Sequence, residues 1–573
     1  MRARSWVVTV AAGLVLADAS IVTLALPELL RALDTTVEGV AAVIAVYTGV
    51  LALALPLAVP ALRRLGPARL AALGFAVFAL ASAVCAASGS LPLLLTARAI
   101  QAAAGAFALV ATFELIRGGT SAGRRHWLGA AVLASAVGPA LGGALTQAFD
   151  WRAIFVAQVP IALAGAVAAR ASGAAAGRAG GAGETISAAP PAESSSPATG
   201  PARSTARTQP QDATALALVS GALTAVLFGL VLLLIAGWAV EPLAAAATVT
   251  VLPLAALAGA QIQAPPRPRA LAGCLLVGGG VLALAWLPTA SVAWTIPPQA
   301  LAGAGMGMAL PAFAGELLPE RTAREAARLL TVRHAGIALV LIALAPLIAH
   351  RLEVVTERAQ EQGVALVLDA RLPPQDKLTL APALLGGVEA ERPRAGLRQA
   401  LADNGRGYAG AERATYDQLA RRADDVLVSA VGDAFRAAFA LAGALALLAA
   451  AALALGAPAR RRAGPLTGLI ALAAALAVAT PAAYAAVHAH DQPKPVVLQD
   501  PCKARRLPGT GGIAGFLQDR ALQALDVAAC RYGSSREELV LALASDKAAR
   551  RFERRHGVNP RSLQSVLGNL IGP

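Results

Sequence analysis

Long apolar segments alternate with short polar connections along most of this chain. Runs of about 20 apolar residues recur, and a helix of that length crosses the hydrocarbon core of a bilayer. We therefore predict an all-α polytopic membrane protein with about thirteen transmembrane helices. The predicted spans are 6–27, 39–60, 70–88, 92–116, 127–149, 152–170, 214–238, 242–261, 270–288, 294–315, 328–350, 431–457 and 464–488.

Polar segments divide this pattern into units. Residues 171–213 are rich in Ala, Gly, Ser and Pro and cannot bury a core, so we expect a disordered cytoplasmic linker there. A polar insert, 351–430, separates the eleventh and twelfth spans, and its last 20 residues or so mix charged and apolar positions as an amphipathic helix does. The predicted units are an N-terminal six-helix bundle (1–170), the linker, a C-terminal six-helix bundle (214–457) containing the insert, an extra span (458–488) and a tail (489–573) of two or three short helices.

Composition and charge agree with a membrane protein. The chain of 573 residues is 57% hydrophobic and 14% charged, whereas a soluble chain carries about 25% charged residues. The net charge of +15 comes largely from Arg in alternate short loops, which predicts a cytoplasmic N-terminus and needs no nucleic-acid partner. With an odd number of spans, the insert and the tail lie outside, where the tail could meet an extracytoplasmic partner. The Ala-, Arg- and Gly-rich bias indicates a bacterial source and hence the bacterial cytoplasmic membrane.

Two of the four cysteines, Cys502 and Cys530, lie in the tail. On the outer side they would share an oxidising compartment, so we predict that they form a disulfide. The alternative is two unpaired thiols, or a tail on the inside if one span is miscounted.

An acidic residue, Asp18, lies mid-way through the first span. A charge at that depth costs about 2.5–3.5 kcal/mol on insertion scales, and the neutral acid costs less. A carboxyl group that can be neutral or ionised within one cycle is what proton coupling requires. The alternative is a structural Asp that is hydrogen-bonded to a neighbouring helix.

The stretch 134–161 contains a proline and three glycines on one helical face. It resembles the antiporter motif of the fifth helix of the major facilitator superfamily, with Ala134 in place of the first glycine. The resemblance implies a pivot that also limits proton leak, formed by Gly138, Pro139, Gly142 and Gly143. The following residues, 151–160, resemble the start of the sixth helix in the drug:proton antiporter branch, with Gln158 where Asn is usual.

Two further strings resemble the same branch. The residues around Asp18 resemble its first-helix motif, and those from Arg98 to Gln101 resemble its fourth-helix motif. The resemblance implies that Asp18 handles the proton, that Arg98 modulates it, and that Gln101 and Gln158 are candidates for the substrate cavity. The alternative for Arg98 is a side chain that reaches the outer headgroups. Near the inner end of the same span, Glu114 is a weak second proton site or part of an interface pair with the arginine three residues later.

The loop after the second span departs from the superfamily pattern, because Arg63 replaces its usual Asp and Gln263 stands at the equivalent position of the second half. We see no catalytic or phosphate-binding motif and expect a transporter rather than an enzyme, without cofactor or metal. The resemblance implies two six-helix bundles that export small amphipathic compounds in exchange for protons. Two alternatives stay open: a permease for a specific metabolite or envelope precursor, and a non-transporting membrane scaffold or sensor.

Overall fold

The computed structural model describes residues 2–116, 123, 138–181, 210–317, 322–373, 376–377, 380, 393–455, 466–491, 496–505 and 507–561. The regular structure in these ranges is helical and includes no strand, so the predicted all-α class is confirmed. Of the predicted linker, 171–213, residues 182–209 lie outside them. Its two ends, 171–181 and 210–213, are helical rather than disordered, because they continue the neighbouring apolar helices.

The N-terminal half is a helical bundle. Proline in the first turn, where a backbone N–H has no helical partner anyway, starts several of its helices. The helix α4 packs against two later helices, and the first helix packs against the last. The elements are α1 (Arg2–Thr23), α2 (Leu26–Ala32), α3 (Val37–Leu65), α4 (Pro67–Ala87), α5 (Leu91–Leu115), α6 (138–148) and α7 (Arg152–Gly181).

The C-terminal half repeats this plan with two much longer helices and an extra helix at the end. A π-helical turn, Leu232–Gly237, extends the first helix of this half. The elements are α8 (Pro210–Val231), α9 (Pro242–Val249), α10 (Val251–Ala260), α11 (Pro266–Ala283), α12 (Val292–Leu317), α13 (Ala323–Asp369), α14 (Pro393–Asn404), α15 (Gly410–Leu455) and α16 (Leu466–Asp491).

Eleven helical stretches among the described residues are long and apolar enough to cross a membrane. Each coincides with a predicted span. The predicted span 127–149 lies mainly outside the described residues, and α12 covers the predicted span 294–315 without meeting the same criterion. A total of thirteen spans therefore stays a prediction.

The two halves meet along α3 and α13, which pack against each other over much of their length. Small residues allow the close approach: a methyl group added at Gly49 would lie 3.7 Å from Cβ of Ala338. A second contact joins α6 to the start of α9.

The two long helices reach far beyond any bilayer. At 1.5 Å per residue, the 47 residues of α13 span about 70 Å, whereas the hydrocarbon core is about 30 Å thick. The predicted amphipathic helix at the end of the insert is the first part of α15, which continues without interruption into the twelfth span. The insert is thus built largely from extensions of two membrane helices.

The tail forms three helices, α17 (Gly512–Tyr532), α18 (Arg536–Ala544) and α19 (Asp546–His556), as the polar and apolar pattern predicts. The predicted disulfide is present, with the Cα atoms of Cys502 and Cys530 5.1 Å apart. Ser535 is the N-cap of α18, because its hydroxyl accepts a hydrogen bond from the backbone N–H of Glu538 at 3.0 Å.

The tail docks on the extension of α13. Leu522 and Leu541 of the tail join a buried apolar cluster with Val364 and Leu368. The guanidinium of Arg536, which is fully buried, binds the carboxylate of Asp369 at 2.8 Å. The insert and the tail therefore form one module at the same end of the helices.

Candidate functional site

The N-terminal bundle encloses an ion pair between α1 and α5. Nη1 of Arg98 lies 2.5 Å from Oδ2 of Asp18, and both side chains are 0% exposed. The alternative in which Arg98 reaches the outer headgroups is therefore wrong. Asp18 faces neither lipid nor headgroups, and the carboxylate and guanidinium that the sequence motifs singled out lie in direct contact.

Amide side chains from two other helices complete the pair. Nε2 of Gln158 on α7 donates to Oδ1 of Asp18 at 2.7 Å, and Nη1 of Arg98 donates to Oε1 of Gln101 at 2.6 Å. The two amides are joined, since Nε2 of Gln101 donates to Oε1 of Gln158 at 2.7 Å. Both are at most 1% exposed. Their described contacts are with the ion pair rather than with an open cavity, so their predicted place as cavity-lining residues gains no support.

Two residues that the sequence reasoning missed belong to the same cluster. The aromatic ring of Tyr47 on α3 lies under the Arg98 guanidinium, 4.1 Å from its carbon, and the Tyr47 hydroxyl donates to the carbonyl of Val15. The Ser82 hydroxyl on α4 accepts from Nε2 of Gln101 at 2.7 Å. The sequence signal that could have identified both residues was a polar side chain at the same depth in each of the predicted spans.

The cluster satisfies most of what a buried ion pair requires. Removing two charges from water costs several kcal/mol each, which is regained only with good geometry and further hydrogen bonds. Asp18 has the guanidinium and one amide, while Arg98 has the carboxylate, an amide and a π-face. Nη2 of Arg98, which carries two N–H groups, has no hydrogen-bond partner among the described groups, and Oδ2 of Asp18 has the ion-pair contact with Arg98 but no hydrogen bond. The site can therefore hold a charged pair and still has two N–H groups for a further acceptor.

The helix α6, which carries the glycines of the antiporter motif, lies between α1 and α9. A Cβ atom at Gly142 would collide with the backbone carbonyl of Ile21 on α1, and one at Gly143 would collide with Ala246 on α9. Gly138 and the buried Pro139 lie one turn earlier, with Gly138 against Ser20. The motif thus joins the helix of the carboxylate to the other half, as a pivot requires.

A polar contact strengthens this junction. Oε1 of Gln147 on α6 accepts from the backbone N–H of Leu243 at 2.7 Å, in the first turn of α9. The sequence reasoning did not single out this residue. The hydrogen bond satisfies one of the backbone donors that a helix N-terminus leaves free.

The other candidates lie outside the cluster. Glu114 is exposed at the end of α5, and its predicted partner lies outside the described residues. No group of three or more metal-ligating side chains occurs in the ranges that the structure describes.

Comparison with known proteins places this arrangement in a family. The family model described as Major Facilitator Superfamily matches residues 8–347, which is more than half of the chain. The chain belongs to the major facilitator superfamily. The resemblance inferred from the sequence motifs is therefore confirmed.

Several curated members of this superfamily are similar to part of the chain. The multidrug efflux pump LfrA of Mycolicibacterium smegmatis is 38% identical over 167 residues, which is 25% of this chain and 33% of that protein. The methylenomycin A resistance protein of Bacillus subtilis is 32% identical over 29% of this chain and 37% of its own length. The alignments thus cover about a third of these relatives.

A solved structure gives a longer but weaker match. It is that of a bacterial homologue of the human lysosomal transporter Spinster, in an inward-facing and unoccupied conformation. The TM-score is 0.49 at 15% sequence identity, and the match covers 81% of this chain and 98% of that one.

Proposed function

We propose that the chain is a proton-coupled exporter of small amphipathic compounds in a bacterial cytoplasmic membrane, with its N-terminus inside and its C-terminus outside. Asp18 carries the proton and Arg98 modulates it. The observation that carries the proposal is the fully buried ion pair between α1 and α5. Nη1 of Arg98 lies 2.5 Å from Oδ2 of Asp18, and both side chains are 0% exposed. The functions named for the relatives, multidrug efflux and methylenomycin A resistance, support a drug-like substrate class.

The coupling follows from the charges of the pair. While Asp18 is ionised, it compensates the buried Arg98 and holds α1 against α5. When a proton neutralises the carboxylate, the guanidinium keeps its charge, because Arg does not deprotonate in proteins. A buried and uncompensated guanidinium favours any rearrangement that gives it another partner. Proton uptake thereby loosens one state of the bundle.

The glycine-rich helix transmits this change. Because α6 touches α1 at Gly142 and α9 at Gly143, a shift of α1 moves the contact with the other half. Rocking of the two halves about a central site is how transporters of this superfamily work.

The test compares Asp18→Asn with Asp34→Asn in everted vesicles. Asp34 is an exposed aspartate between α2 and α3, so it controls for loss of an aspartate as such. An imposed pH gradient should drive uptake of ethidium or Nile red by the wild type and by Asp34→Asn. Uptake by Asp18→Asn should fall to the background of empty vesicles.

A second measurement separates loss of coupling from loss of folding. Asp18→Asn should still exchange labelled for unlabelled dye when no gradient is present, because exchange needs substrate movement but no net proton transfer. Gradient-driven uptake at the wild-type rate in Asp18→Asn would refute the proposed role of Asp18. A failure of the wild type to move any dye would refute the substrate class.

A further inference from the structure

The module formed by the insert and the tail contains a groove of about 680 Å³. One wall is a face of α15, and the other is the end of α13. Val496, from the segment after α16, completes it. The volume is typical of sites for small molecules. The lining includes Leu366 and Asp369 of α13, Arg371 just after its end, and Arg422, Asp425 and Val426 of α15.

The α15 wall is one continuous helical face. Its lining residues from Thr415 to Val426 recur at intervals of one to three residues along a single stripe, so the wall is about 16 Å long. Leu366 on α13, Val426 on α15 and Val496 are partly exposed in the groove, whereas Leu419 is only 5% exposed. The three partly exposed side chains give the groove an apolar surface for an extended chain.

The charges of the groove favour an anion. Asp369 is paired with the buried Arg536 of the tail at 2.8 Å, and Arg536 pairs with Glu537 as well at 3.0 Å. Arg371 and Arg422 are exposed in the groove, and neither has an ion pair with a described carboxylate. The charged side chains of the lining that have no described ion pair are therefore these two guanidiniums and the carboxylate of Asp425. A planar guanidinium binds a carboxylate or phosphate through two parallel hydrogen bonds.

The position of the groove excludes a lipid that stays in its leaflet. Ala365 lies 15 residues beyond the predicted end of the eleventh span at residue 350, which is about 22 Å along the helix. A two-chain phospholipid could not reach that height without leaving the bilayer, whereas a single-chain amphiphile is soluble enough to do so.

We propose that this groove is a binding site for a soluble single-chain amphiphile with an anionic head, in which Arg371 and Arg422 bind the head and Leu366 and Val426 contact the chain. The site is separate from the Asp18 cluster and does not depend on the proposed transport activity.

The test titrates the full-length protein, in nanodiscs of neutral phosphatidylcholine, with the fluorescent fatty acid 11-(dansylamino)undecanoate. Empty nanodiscs give the background. The wild type should show saturable binding that dodecanoate displaces and that 1-dodecanol displaces at least about tenfold less well, since the alcohol has no charged head for the guanidiniums to bind.

The matched variants are Arg422→Gln and Arg421→Gln. The neighbouring Arg421 is exposed on the same helix but does not line the groove. Arg422→Gln should bind the probe about tenfold more weakly, Arg421→Gln should bind it as the wild type does, and all three should unfold at the same temperature. Asp18→Asn should bind normally, which keeps this result independent of transport.

Equal affinity of Arg422→Gln, Arg371→Gln and the wild type would overturn the proposal. So would equal displacement by dodecanol and dodecanoate, because the groove would then recognise only the chain. Binding of the probe to protein-containing nanodiscs that does not exceed its binding to empty nanodiscs would also overturn it.

Discussion

Replacing Arg98 by Met should open the N-terminal bundle selectively. Met has a similar length and is apolar, so the change removes the charge and hydrogen bonds while keeping much of the volume. The carboxylate of Asp18 then keeps one described hydrogen bond, from Gln158, and lies fully buried without a counter-charge. Removing one partner of a buried ion pair costs about 3–5 kcal/mol, and the opened state should become more populated by roughly two to three and a half orders of magnitude.

The cost of Arg98→Met should depend on whether Asp18 is protonated and on whether Asp18 is replaced as well. Protonation removes the unpaired charge of Asp18 in Arg98→Met, so the deficit should shrink as the pH falls. The double variant Asp18→Asn with Arg98→Met removes both charges. Its loss should be at least about 2 kcal/mol smaller than the sum of the two single losses, since residues in contact are not additive.

Two buried thiols provide the assay, one in each half. Cys85 on α4 is 0% exposed, and its sulfur lies 4.0 Å from Oε1 of Gln101, at the edge of the cluster. Cys274 on α11 is also buried, in the other half. In a Cys274→Ser background, a thiol-reactive fluorophore reports opening around Cys85, and in a Cys85→Ser background it reports the C-terminal half.

Arg98→Met should speed the labelling of Cys85 far more than that of Cys274. The matched control is Arg64→Met, which changes an exposed arginine at the end of α3. Equal labelling of Cys85 in Arg98→Met and Arg64→Met would refute the argument that the ion pair holds the bundle closed.

Two further outcomes follow from other contacts. Gly142→Ala should lower the free energy of unfolding by about 1–3 kcal/mol, because the added Cβ meets the rigid backbone of Ile21. Gly138→Ala should cost less, because its Cβ meets the Ser20 hydroxyl, which can rotate. Thermal unfolding measures both. In the insert, burial raises the pKa of Asp424, but the hydrogen bond and charge of Arg394 outweigh burial and hold this pKa below its usual value. This pair therefore contributes stability above about pH 4 that is lost as the pH falls through the folded-state pKa, and Asp424→Asn should unfold at a lower temperature at pH 7 but show a smaller loss on acidification.

Sequence signals between neighbouring residues predicted the helices of the tail, but they did not predict how the tail packs on α13. The helices of the tail follow from its pattern of polar and apolar residues, and the disulfide between Cys502 and Cys530 was predicted from a topology that places the tail outside, so both predictions need only the sequence. The ion pair between Arg536 and Asp369 joins residues 167 positions apart, and no periodicity relates them. Chain-wide packing decides such contacts.

The sequence also predicted some residues of the cluster around Asp18 and missed others. Asp18 and Arg98 stood out because a charge inside an apolar span is costly. Ser82 did not stand out, because a single hydroxyl in a membrane helix can bond its own backbone, and it does donate to the carbonyl of Phe78 at 2.8 Å. Only the meeting of several helices shows that the same oxygen also accepts from Gln101.

The helix α13 links the two regions that the sequence treated separately. It packs on α3 where the halves meet, near Ala338, and it ends at Asp369, where the tail and the groove begin. These two residues are 31 positions apart on one helix, or about 46 Å. Because a helix transmits a tilt along its length, rocking of the halves about the α3–α13 contact would displace the groove in space. Since α13 and α15 belong to the same half and pack against each other, the groove would move with both walls together, so we expect groove binding to be independent of the position of the halves.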